Sequence, residues 1–106
     1  PGVPPGFLAN LALATAGAML DTPTSSFLGP NNNVRLTRKV LLAAHIAAAS
    51  ILIRNGHENA AIALLTVVKQ RIDGQSPPPD WMSNGADRAM LHSDVSALIT
   101  LLELMN

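Results

Sequence analysis

Apolar residues recur along this chain at the three-to-four-residue spacing of a helix, and proline and glycine mark where each period stops. Residues 7–20 place Leu8, Leu11, Ala12, Thr15 and Met19 on one face, which predicts a first helix with Gly17 as its weak point. Before it, residues 1–6 (PGVPPG) read as an extended lead-in. After it, residues 21–33 (DTPTSSFLGPNNN) are rich in turn formers and read as a loop pinned to the core by Phe27 and Leu28. The triple asparagine supplies an N-cap for a second helix over 34–55, with Leu41, Ala44, Ala48, Ile51 and Leu52 as its expected inner stripe. Gly56 follows as a left-handed stop. A third helix over 58–73 turns Ala61, Leu64, Leu65, Val68 and Ile72 inward, and Gly74 closes it.

Three consecutive prolines at 77–79 predict a stiff, polyproline-like segment. Ser83, Asn84 and Asp87 then open a fourth helix whose seam is Leu91, Val95, Leu98, Leu102 and Met105. No stretch alternates as a strand does, so the expected fold class is all-α. The short link at Asn55–Gly56 forces the second and third helices into an antiparallel hairpin. Across it, Ala43, Ala44, Ala47, Ala48 and Ala49 are expected to face Ala60, Ala61 and Ala63. The expectation is a four-helix up-down bundle built on that hairpin, with no sheet. Residues 1–33 form a proline-flanked helix and loop, and residues 34–106 form a three-helix core within one structural domain.

The chain has 106 residues, 48% of them hydrophobic and 13% charged, with no net charge and no cysteine. That suits one domain with a single core, does not favour a disordered tail, and excludes a disulfide scaffold and a cysteine-ligated metal site. Balanced charge argues against a nucleic-acid partner, which wants a basic excess. The longest apolar run, 40–53, is interrupted by His45 and Ser50 and stops at Arg54. A membrane span needs about 20 predominantly apolar residues, so a buried helix is expected there and not a span. The chain starts at Pro1 without signal-peptide features, as a processed or excerpted protein would.

The run LLAAHIAAASILIRNGHENAAIALLTVVKQRIDG, at 41–74, combines a leucine-rich helix, a turn glycine and a second helix beginning NxAAIxxL. It resembles the small helical domain appended to secreted bacterial multidomain proteins, the FIMAH domain. The Asp80–Trp81 pair and the ending ALITLLELM extend that resemblance over about 36–105. It differs in having Gln75 and no cysteine where such domains often carry cysteines. The resemblance implies a non-catalytic, extracytoplasmic accessory module, with no active site to transfer. The segment ILIRNGHENAAIALLTVVKQ is also similar to the joint of a tetratricopeptide repeat, which would imply a cytosolic helical adaptor. A repeat of about 34 residues is absent.

Candidate chemistry is sparse. His45, His57 and His92 have no second ligand at i+3 or i+4, whereas zinc wants three or four convergent groups. Asn31–Asn33 and Asp21 lack the calcium-loop spacing, and no serine has a recognisable base partner or glycine-rich phosphate loop. No catalytic residue, metal or cofactor is therefore expected. Trp81 reads mainly as an anchor for the proline loop, with a platform for a sugar ring or peptide as the alternative.

Charge is more informative. Up-down topology collects Arg35, Arg38, Lys39, Lys69, Arg71 and Arg88 at one end of the bundle, with Asp73, Asp80 and Asp87 as expected ion-pair partners. Together with Trp81 these basic residues form a candidate partner-docking end. Leu13, Ile99 and Leu101, which fall outside the helical stripes, form a candidate apolar interface together with Leu8. The expected function is a helical module for protein–protein interaction in a larger secreted or periplasmic bacterial assembly, with no nucleic acid and no membrane span.

Overall fold

Four helices make up most of the chain in a computed structural model that describes residues 4–105. They are α1 (Pro5–Asp21), α2 (Asn32–Arg54), α3 (Glu58–Gln70) and α4 (Ala86–Leu104), with a single 3₁₀ turn at Thr24–Ser26. The fold is an all-α bundle, with no strand among the described residues.

Helix ends follow local chemistry. Proline at the first helical position lacks only an N–H that would have no partner there, so α1 starts at Pro5 instead of after the expected lead-in. Residues 1–3 of that lead-in lie outside the described residues. At α2, Asn31 Oδ1 accepts the Val34 N–H at 2.9 Å. The helix closes where Gly56, at φ +79°, donates to Ile53 O at 3.1 Å and His57 N–H donates to Leu52 O at 2.8 Å. In α3 the last turn tightens early, because Arg71 and Ile72 donate back to Val68 O and Lys69 O. The helix thus stops at Gln70, and Gly74 (φ +74°) turns the chain beyond it. The fourth helix begins at Ala86, so Ser83 and Asn84 precede it. Asp87 caps no backbone there and instead accepts from Ser26 Oγ at 3.0 Å.

The helices form an up-down ring in which α1 and α3 each pack against α2 and α4. Antiparallel α1 and α2 are tied at both ends, by Arg54 Nη2 on Asn10 Oδ1 (2.6 Å) and Lys39 Nζ on Thr22 O (2.9 Å). Leu8, Ala9, Ala12, Thr15, Ala16 and Met19 of α1 are buried. Leu65, Val68, Leu91, Val95, Leu98 and Leu102 fill the other side. Leu8 is 0% exposed and Ile99 8% exposed, so neither is an outward residue as their candidate role required. The alanine-rich stripe of α1 lets it sit close to its neighbours and draws Leu8 inside.

In α2 the inward stripe is Leu42, Ala43, Ile46, Ala49, Ser50 and Ile53, one residue out of phase with expectation. Leu41, Ala44 and Ile51 are exposed, and Ala48 and Leu52 half-buried. The expected alanine contact across the hairpin narrows accordingly. Ala49 and Ala61 are buried, but Ala44, Ala60 and Ala63 face outward. Burying Ser50 is tolerable because its hydroxyl donates to Ala47 O at 2.6 Å.

The two long loops pair with each other. Leu28 N–H donates to Trp81 O at 2.8 Å and Ser83 N–H to Ser26 O at 2.9 Å, setting Phe27 opposite Met82 in one antiparallel bridge. Both side chains are buried, each worth about 1.5–3 kcal/mol of apolar burial. The triple proline is bent instead of polyproline-like, with cis bonds at Ser76–Pro77 and Pro77–Pro78.

Candidate functional site at the loop end of the bundle

The paired loops, the start of α2 and the end of α3 meet at the end where the basic residues were expected to collect. Three of the six basic side chains there act inward. Arg35 Nε donates to Gly29 O at 3.1 Å, Lys39 Nζ to Thr22 O at 2.9 Å and Arg88 Nη1 to Ile72 O at 2.9 Å. They hold loop carbonyls that no helix satisfies, which is the usual way for such groups to be paired. Lys69 is half-buried in the last turn of α3.

The aspartates bond to groups other than these cations, although Asp80 Oδ1 is buried without a partner among the described residues. Asp80 Oδ2 accepts the Gly74 N–H and Asp73 Oδ1 the Gln75 N–H, each at 2.8 Å. Asp87 holds Ser26. The expected ion pairs are replaced by carboxylates that tie down turns and cations that cap carbonyls. A loop that exposes many backbone groups to partial burial demands both.

Arg38 and Arg71 differ from the rest. Each uses one N–H on a carbonyl, Arg38 Nη1 on Leu28 O (2.6 Å) and Arg71 Nη1 on Pro79 O (3.2 Å). Their guanidinium carbons lie 5.5 and 4.7 Å from the centroid of the Trp81 ring, within cation–π range. Trp81 itself is half-buried against the core and anchored by its backbone, its N–H donating to Arg71 O at 2.7 Å. It is both anchor and surface. Beside it runs a groove of about 310 Å³ lined by Asn33, Val34, Thr37, Arg38, Leu41 and Trp81. Val34 and Thr37 were not singled out by sequence reasoning, and Leu41 was expected in the inner stripe of α2. The one available signal was the outward period of α2, which the all-round apolar helix conceals.

From this groove the outer face of α2 continues through exposed Val40, Ala44 and Ile51, the last 61% exposed. No charged residue occurs from 40 to 53. The helix has 23 residues and an 18-residue window of mean hydropathy 1.6, long and apolar enough by composition to cross a membrane. Here its inner side lies in the bundle core, and its apolar excess is the outer side. Of the remaining candidate interface residues, Leu13 is 45% exposed on α1 and Leu101 is half-buried against the core.

His45 Nδ1 lies 2.7 Å from Leu41 O, His57 is exposed at the hairpin turn, and His92 is half-buried in α4. Among the described residues no three histidine, aspartate or glutamate side chains gather as metal ligands would. Comparison of the chain with protein-family models, with curated proteins and with solved structures found no match in any of the three.

Proposed function

We propose that this chain is a non-catalytic helical interaction module, part of or assembled with a larger extracytoplasmic bacterial protein. One observation carries the reading: the outer face of α2 keeps Leu36, Val40, Leu41 and Ile51 exposed although the bundle already has a full core. Contiguous apolar surface on a folded chain of this size marks a contact surface more often than it marks waste. The accessory role outside the cytoplasm rests on the resemblance of the run at 41–74 alone, since no family model matches the chain. The α2–α3 hairpin is covered by α1 and α4, the arrangement of a closed module and not of an open repeat.

Panning a random peptide library on the folded chain tests the reading. Bound peptides should be lost on Val40→Glu or Ile51→Glu and kept on Thr100→Glu, an exposed site on α4. All three variants should melt within about 4 °C of the parent, as exposed substitutions do. A library that yields no binder, or binders indifferent to both α2 changes, would refute the proposal.

A further inference from the structure

Resting on the reading of α2 as an interaction surface, we infer that the groove beside Trp81 takes an acidic segment of a protein partner. Side-chain carboxylates of the segment pair with Arg38, which lines the groove, and with Arg71, which lies at the Trp81 ring beside it, and an adjacent apolar side chain lies on Val34 and Leu41. Charge carries the choice of occupant. Two guanidinium carbons within 5.5 Å of one ring centroid are no more than about 10 Å apart, roughly one Debye length, so their repulsion is only partly screened. Among the described residues neither meets a carboxylate, because Asp73, Asp80 and Asp87 are turned to Gln75, Gly74 and Ser26.

The indole ring holds both cations at cation–π distance, and a guanidinium on a ring face keeps N–H groups along its edge for other acceptors. Each arginine has five N–H donors and uses one on a loop carbonyl. Among the described residues the remaining donors are not taken by any other group, and a carboxylate accepts guanidinium N–H groups bidentately. The groove at about 310 Å³ is near the lower end of ligand pockets, suited to one or two side chains of a peptide. No acidic residue lines it.

Trp81 is the single tryptophan, so its fluorescence reports on this site alone. The probes are acetylated and amidated nine-residue peptides alternating leucine with aspartate, the same peptides with asparagine for aspartate, a thymidine decanucleotide, and vesicles with anionic lipid. The acidic peptide should change Trp81 emission and bind about tenfold or more tightly than its asparagine twin. Arg38→Gln and Arg71→Gln should each weaken it about tenfold, and 0.5 M salt should do the same. Circular dichroism melts of both variants check that the bundle persists. Equal binding of the acidic and asparagine peptides, still abolished by Ile51→Glu, would overturn acidic recognition and leave the α2 interaction surface standing. Stronger binding of the oligonucleotide or the vesicles would overturn it in favour of phosphate. Failure of every peptide, together with a library without binders, would remove both readings.

Discussion

Gly56 and Gly74 have almost the same backbone, at φ +79° and +74°, but different surroundings, and the pair isolates what Arg88 does. An alanine at 56 would place its Cβ in open space, with nothing within 4 Å. Gly56→Ala therefore carries the left-handed penalty of an L residue and little else, about 1–2 kcal/mol. For a domain of this size each kcal/mol lowers the melting temperature by about 4–8 °C. An alanine at 74 carries the same penalty and also meets Arg88, with Nη1 at 3.2 Å and Cζ at 3.4 Å. That side chain cannot simply swing away. Its Nη1 donates to Ile72 O at 2.9 Å, and its Nε is buried without a partner. Weakening that charged hydrogen bond adds roughly 1.5 kcal/mol, so Gly74→Ala should melt several degrees below Gly56→Ala. The assay is thermal denaturation followed by far-ultraviolet circular dichroism, run in the parent and in an Arg88→Ala background as a double-mutant cycle. Without Arg88 the two glycine penalties should become equal. Equal shifts in the parent background, or an excess at 74 that survives removal of Arg88, would refute the reasoning.

Two further outcomes follow from burial. Leu8→Ala should lower stability by about 2–5 kcal/mol, because Leu8 is 0% exposed, whereas Leu13→Ala at 45% exposure should stay within about 0.5 kcal/mol; denaturant midpoints decide whether α1 belongs to the core. Phe27→Ala should be destabilising by about 3–5 kcal/mol, since the buried ring holds the loop pairing opposite Met82; near-parent stability would show that the loops are held by hydrogen bonds alone.

The punctuation of this fold was legible from residues alone. An asparagine of the 31–33 triplet as N-cap, which the structure places at Asn31, and Gly56 as stop are local events, set by one side-chain oxygen and one left-handed backbone, and neither needs a neighbour to specify it. The inward stripe of α3 was legible for a related reason. Asn59 and Gln70 lie on one side of the helix with the small Ala60 and Ala63, and Leu65, Val68 and Ile72 lie on the other, so a single phase fits. The phase of α2 was not legible. Residues 41, 44, 48 and 51 and residues 42, 46, 49 and 53 both form apolar stripes at helical spacing, the second differing by Ile46 where the first has an alanine. Periodicity alone does not separate two such stripes.

Contacts distant in sequence separated them. Lys39 reaches Thr22 across α1, Arg38 reaches Leu28 and the Trp81 ring, and Arg54 reaches Asn10. These three ties accompany the rotation that sends Leu42, Ile46 and Ile53 inward and leaves Leu41 and Ile51 facing outward. The candidate site depends on the same rotation, since Leu41 lines the groove only in that phase. Which residues were basic, and the end of the bundle they share, could be read from the chain. Which of them cap carbonyls and which two flank Trp81 was decided by tertiary structure, because backbone carbonyls become acceptors at fixed places only when the loops have paired.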